Sequence, residues 1–138
     1  MNASARILAI ALVPCAAPVG VGVHIASAQQ PAENRTVLLT SDLKGIEGQE
    51  VRMWLTDIPP GVVGAKHYHP GTECVYVLEG ALDLERVGET TVHLKAGEAH
   101  CVPPKTVLIP RNASTTAPYK SLVVMIAPKG QPLAVPVR

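Results

Sequence analysis

Two histidines and a glutamate lie close together near the middle of the chain, at His67, His69 and Glu73. Two imidazole nitrogens and one carboxylate oxygen suit a divalent transition metal such as Fe, Mn, Cu, Ni or Zn. Residues two apart on a β-strand point to the same side, so a strand around Tyr68 would aim both rings into one space. The Pro-Gly pair that follows predicts a turn. A second strand, starting at Glu73, is expected to return alongside the first and to bring its carboxylate to the rings.

This spacing resembles the first signature motif of the cupin superfamily. The positions that match it without a gap are Gly61, His67, His69, Glu73 and Gly80. The resemblance covers about residues 36–127 and points to the small, single-domain cupins described as quercetin-dioxygenase-like. It implies an all-β fold, a single jelly-roll β-barrel. It also implies that His67, His69 and Glu73 are metal ligands. It also implies a homodimer, formed by strand exchange or sheet packing.

The second cupin motif is only partly present. Pro103 and Asn112 match it, but Lys105 stands where the family has a turn glycine. Leu108 stands where the family has its third metal-binding histidine. That ligand therefore cannot be carried over to this chain.

His100 lies just before this motif and could replace the missing ligand from a neighbouring strand, although a barrel-lining or surface histidine explains it as well. Three interpretations of the metal centre follow. His67, His69 and Glu73 hold the ion alone, or His100 completes a four-ligand site, or the affinity is so low that the site is empty in the cell. The alternative without a metal makes the two histidines of the first motif surface residues of a hairpin.

Composition limits the function classes. The 138 residues amount to one domain, with 47% hydrophobic residues, a formal charge of +1, no Phe, one Trp and three Tyr. The near-neutral charge and the scarcity of aromatic residues argue against a nucleic-acid-binding protein. Thirteen Pro and eleven Gly separate short Val- and Leu-rich runs, a pattern typical of an all-β domain.

The first 28 residues have the features of a secretory signal peptide. Arg6 precedes an apolar run, and Ala26-Ser27-Ala28 resembles a cleavage site. We expect cleavage after Ala28, a periplasmic or secreted cupin domain at residues 29–138, and no membrane association after cleavage. An uncleaved anchor is the rival interpretation, which Pro14, Pro18 and His24 disfavour.

Two cysteines remain in the predicted mature chain, Cys74 and Cys101. By strand alternation Cys74 faces away from Glu73, and Cys101 faces away from His100. Export implies an oxidising compartment, but the sequence favours two buried thiols over a disulfide, because a disulfide needs a specific separation and direction.

The coarse strand prediction places a strand at residues 106–110 and leaves residues 129–138, with two prolines, as an extended tail. Arg111 is a candidate for binding an anionic substrate, although an exposed arginine is the commoner case. Asn112-Ala-Ser114 carries a glycosylation sequon of little weight in such a chain.

Two function classes stay open. The first is a metal-dependent dioxygenase-like enzyme acting on a small oxygen-bearing substrate, with Glu73 as ligand and as catalytic base. The second is a binding protein for a metal or small ligand without turnover, which the leucine at position 108 favours. The sequence does not decide between them.

Overall fold

The computed structural model of the chain describes residues 32–138; the predicted signal peptide and its cleavage site lie outside the described residues. Ten strands and no helix make up the described part: β1 (Asn34–Asp42), β2 (Gln49–Ile58), β3 (His67–Tyr68), β4 (Thr72–Glu79), β5 (Ala81–Arg86), β6 (Val92–Lys95), β7 (Ala99–Val102), β8 (Leu108–Asn112), β9 (Tyr119–Pro128) and β10 (Val135–Pro136). The all-β prediction is confirmed. No helix in this range is long and apolar enough to cross a membrane.

The strands form two five-stranded sheets, in the orders β1-β2-β9-β4-β7 and β10-β3-β8-β5-β6. Every pairing is antiparallel. The core lies between the sheets, where β9 alternates buried residues such as Val123 and Met125 with less buried ones. Trp54 is buried on β2, and its indole N–H donates to Thr56 at 3.1 Å, which satisfies a polar side chain on the inner face. The jelly-roll expectation holds as two facing sheets that are not closed into a barrel.

The strands before and after the Pro-Gly turn lie in different sheets. β3 pairs with β8 and β10, whereas β4 pairs with β9 and β7. The prediction that they return side by side is therefore wrong. A Cβ at Gly71 would lie 2.1 Å from the carbonyl oxygen of Ile126, so the turn packs directly on β9 and carries the chain across the core. A turn signal predicts reversal but does not tell whether the chain stays in its sheet.

The C-terminal segment is not a loose tail. Its strand β10 pairs with β3, and the backbone N–H of Val137 donates to the carbonyl of Lys66 at 3.0 Å. The end of the chain therefore adds an edge strand beside the two histidines.

The segment of the second motif keeps the turn that the family makes with glycine. Lys105 has a φ of 65°, the one positive value at a non-glycine position within residues 32–138. Its N–H donates to the carbonyl of His69 at 2.9 Å, which ties this turn to the first motif. The predicted strand at 106–110 consequently starts later, at Leu108, and continues to Asn112.

Candidate metal centre

Both histidines of the first motif are buried with their rings held by backbone carbonyls. Nδ1 of His67 lies 2.7 Å from the carbonyl of Ala65, and Nδ1 of His69 lies 2.5 Å from the carbonyl of Leu133. A carbonyl oxygen only accepts, so each Nδ1 carries a proton and donates it. In the neutral rings each Nε2 therefore presents a lone pair, the arrangement usual in metal-binding histidines.

The sequence does not mark Leu133, because its backbone carbonyl, and not its side chain, orients His69. It lies in the C-terminal segment, 64 residues from His69. No side-chain pattern marks a carbonyl that serves this purpose. Only the position of β10 beside β3 reveals it.

Glu73 reaches the histidines from the other sheet. It lies on the inner face of β4 and is buried, with Oε2 in close contact with Nε2 of His69 but outside hydrogen-bond geometry. This oxygen is buried and has no hydrogen-bond partner among the described residues. A buried carboxylate oxygen without such a partner is costly unless a cation compensates it.

Three acceptor atoms thus meet at one place. Nε2 of His67 lies 3.0 Å from Nε2 of His69, which in turn contacts the carboxylate of Glu73. Two nitrogens bound at about 2.1 Å to one ion lie about 3.0 to 3.4 Å apart, so the imidazole spacing agrees with a shared metal. A proton on His69 can satisfy one neighbour, whereas a divalent ion can satisfy all three groups.

Arg35 supplies a cation on the other side of His67. Its Nη2 donates to Nε2 of His67 at 3.2 Å, and its Nε donates to Oε1 of Glu33 at 2.7 Å. The guanidinium therefore uses the lone pair that a metal would need. No sequence pattern marks Arg35, because its place follows from the pairing of β1 with β2, where Arg35 lies opposite Thr56 on the inner face.

Burial sets the protonation of two groups at this site. It lowers the pKa of His67, with nearby His69 and Arg35 acting in the same direction and the Ala65 carbonyl and the Glu33 carboxylate opposing them. Burial also raises the pKa of Tyr119 well above its usual range, with a contribution from the charge of Glu73. His67 is thus held neutral, and Tyr119 remains a protonated phenol.

The polar groups border a small cavity between the sheets. It offers about 30 Å³ to the centres of water molecules, enough for about two of them. His67, His69, Glu73, Arg35 and Tyr119 line it together with an apolar wall. Strand alternation from Glu73 predicts that Val75 and Val77 line the site. Val75 does so, whereas Val77 is buried in the core and does not line the cavity.

The other predicted positions are placed as follows. Leu108 lies directly opposite His67 in the β3–β8 pair and lines the cavity, so a histidine there would be next to the cluster. His100 lies opposite Val75 on the edge strand β7 and does not line the cavity, and its Nε2 is buried without a hydrogen-bond partner in the described chain. Arg111 is exposed on β8 and lines neither this cavity nor the groove beside it.

Cys74 and Cys101 form a disulfide, so the preference for two buried thiols is wrong. The two residues are direct partners in the β4–β7 register, with their Cα atoms 4.0 Å apart. Alternation correctly turned both away from Glu73 and His100. It could not supply the register that makes them neighbours.

The donor set fits a metal. Among residues 32–138, no group of three His, Cys, Asp or Glu side chains is arranged as it would be around an ion. Arg35 contacts His67, and His69 contacts Glu73 directly. An ion would engage the buried Oε2 of Glu73 and the Nε2 atoms of the two rings, whose orientation the backbone carbonyls fix.

Comparison with known structures places the fold among the cupins. A double-stranded β-helix protein from Klebsiella pneumoniae subsp. pneumoniae MGH 78578 is 23% identical, with a TM-score of 0.60, covering 80% of this chain and 88% of that one. A cupin domain from Bordetella pertussis Tohama I is 23% identical, with a TM-score of 0.57 and coverages of 71% and 96%. The DMSP lyase DddQ from Ruegeria pomeroyi DSS-3 is 17% identical, with a TM-score of 0.63 and coverages of 84% and 57%.

A comparison with curated proteins found no match. The family model described as "Cupin domain" matches residues 54–125, a segment that begins at the buried Trp54, contains both motifs and ends at the buried Met125. Since this segment is more than half of the 138 residues, the chain belongs to the cupin family.

Proposed function

We propose that this chain is an exported, single-domain cupin that binds one divalent transition metal through His67, His69 and Glu73. The observation that carries the proposal is that the two imidazoles and the carboxylate lie together, with both rings oriented by backbone carbonyls outside the cluster. Both rings are oriented by carbonyls, and the carboxylate is buried beside them. Two nitrogens and one oxygen suit Fe, Mn, Cu, Ni or Zn.

A reaction on a small oxygen-bearing substrate, of the dioxygenase type, is the second candidate function. A bound ion would act as a Lewis acid toward the substrate's oxygen atoms or support chemistry with O₂. Glu73 and the protonated phenol of Tyr119 line the same cavity, so Glu73 can accept a proton while the phenol donates a hydrogen bond to a substrate oxygen. The cavity's volume admits only a few atoms of a substrate.

Elemental analysis by mass spectrometry tests metal binding. The chain from Gln29 onward would be purified without chelators, beside a His67→Ala/His69→Ala variant. We expect one transition metal per chain in the first and none in the second. If neither holds a metal, even after incubation with each of the five ions, the proposal fails.

Trp54 provides a second readout. It is the one Trp of the chain, and its ring centroid lies 5.8 Å from that of His69. Binding of a quenching ion such as Cu²⁺ should lower its fluorescence in the wild type and not in the double variant. Unchanged fluorescence on saturation with Cu²⁺ would contradict an ion beside His69.

Oxygen uptake with catechol-like or flavonoid substrates distinguishes the two candidates. Uptake by the metal-loaded protein that is lost in Glu73→Gln, with the metal retained, would support an enzyme. Tight ligand binding with no product over hours would support a binding protein without catalytic activity.

A further inference from the structure

A groove lies outside the cavity and shares its wall. It offers about 710 Å³ to the centres of water molecules and has Glu33, Arg35 and His67 in common with the cavity. Through His67 the proposed metal site therefore borders two spaces, an inner one for a few atoms and an outer one for a larger group. The side chain of Arg35 lies at their junction.

The outer groove is apolar with a positive bias. Its apolar part is formed by Ala32, Val63, Ala65, Ala134 and Pro136. Its charged lining consists of Arg35, Lys66 and Glu33, which gives two positive charges and one negative charge, a net charge of +1. Such a surface favours a small molecule with an apolar body and one anionic group.

The free hydrogen-bonding capacity of Arg35 specifies the anion. Nε is used by Glu33 and Nη2 by His67, and a guanidinium has five N–H donors in a planar fork. When a metal takes the lone pair of His67, Nη2 loses its acceptor. A planar carboxylate is the group that this fork binds with two parallel hydrogen bonds.

We infer that the outer groove binds a small carboxylate-bearing molecule, with Arg35 transferring its hydrogen bond from His67 to the ligand's carboxylate when a metal binds. The inference rests on the proposed metal site. Arg35 and the metal compete for one lone pair and carry charges of the same sign, so Arg35 alone weakens metal binding. The carboxylate neutralises that cost, so metal and carboxylate bind cooperatively, each raising the affinity of the other by the same factor.

The test measures Zn²⁺ affinity by isothermal titration calorimetry, with and without butyrate, in a buffer free of other carboxylates. Butyramide, which has the same shape without the charge, is the matched ligand control. We expect butyrate to tighten Zn²⁺ binding in the wild type, and this tightening to fall at least fivefold in Arg35→Met. Arg35→Met should bind Zn²⁺ alone more tightly than the wild type does.

Two further variants test whether the butyrate effect depends on the position of Arg35 or only on its positive charge. Arg111→Met removes the same charge from an exposed site outside both spaces and should leave the butyrate effect intact. Arg35→Lys keeps the charge without the fork and should retain only part of the effect. Thermal melts of each variant confirm that it is folded.

The outcomes distinguish this inference from the proposed function. If Zn²⁺ binds the wild type but butyrate tightens it no more than in Arg35→Met, or no more than butyramide does, the inference is overturned and the metal site stands. A loss of the effect in Arg111→Met equal to that in Arg35→Met would also overturn it. If the wild type binds no Zn²⁺, the same titrations use whichever of the five ions elemental analysis finds in the protein; if it binds none of them, the metal site and the inference fail together.

Discussion

Leu108 is the residue that we expect to limit the metal affinity of the proposed site most. It lies opposite His67 and is 1% exposed, so its side chain occupies the place from which a third imidazole would reach the ion. We expect Leu108→His to raise Zn²⁺ affinity at least tenfold in a chelator competition assay. The metal-free variant should lose about 1 to 3 kcal/mol of stability, because an imidazole would be buried without a partner.

Leu108→Phe is the control, since it changes volume without adding a donor, and it should not raise the affinity. An unchanged affinity in Leu108→His would mean that this position is not a ligand position or that His100 already serves as the extra ligand.

The buried ring of His67 makes the stability of the metal-free protein depend on pH. Burial lowers its pKa in the folded state below the ordinary histidine value of about 6.5, so the unfolded chain binds the proton more readily. Stability is therefore fully present above about pH 6.5 and falls as the pH drops below that value, until the folded pKa is reached. Urea unfolding in the presence of a chelator should show this loss between pH 8 and pH 5.

His67→Gln should lose less stability than the wild type over the same pH range. His93→Gln is a suitable control, because His93 is exposed on β6 and 2.7 Å from Asp83, outside the cavity. Equal slopes for the wild type and His67→Gln would contradict the assignment of this effect to His67.

Among the strands, β10 is the element whose removal tests the orientation of His69. Deleting residues 130–138 removes the Leu133 carbonyl and the strand beside His67. Loss of such an orienting partner typically lowers metal affinity about 10- to 100-fold, and we expect a Zn²⁺ titration to show that loss. Leu133→Ala retains the carbonyl and should bind nearly as the wild type does. Equal losses in both would assign the effect to the side chain.

The disulfide joins edge strand β7 to β4, which carries Glu73. It closes a loop with a sequence separation of 27 residues, for which the chain-entropy model gives about 3 to 4 kcal/mol of stabilisation. Urea unfolding of Cys74→Ser/Cys101→Ser should show a loss of this order. A reducing agent should destabilise the wild type and leave the variant unchanged. Identical stabilities of the two under oxidising conditions would contradict a structural role.

The sequence predicts what lies along a strand better than what lies across from it. Alternation correctly put Val75 with Glu73 and turned Cys74 outward, because that pattern depends only on neighbouring residues. The disulfide and the orienting carbonyl of Leu133 depend on register and on pairings between distant segments, which no local pattern contains. Arg35 was missed for the same reason, since its role follows from the pairing of β1 with β2.

On the scale of the whole molecule, the site is completed by both ends of the described chain. Glu33 and Arg35 come from its start, Leu133 and Pro136 from its end, and all four border the cavity or groove or hold a ring in place. Unfolding must therefore separate the ligands and their supports together. An ion bound only by the folded state consequently stabilises the entire domain, not one loop.

Metal binding should thus raise the melting temperature of the chain from Gln29 onward. An ion at about 100 times its dissociation constant adds about 2.7 kcal/mol. For a domain of this size, each kcal/mol corresponds to a shift of roughly 4 °C or more, so Zn²⁺ should raise the melting temperature by about 10 °C. Differential scanning calorimetry with Zn²⁺ and then with excess chelator measures the shift and its reversal. The His67→Ala/His69→Ala variant should show neither, and an equal rise in that variant would mean that the ion binds elsewhere.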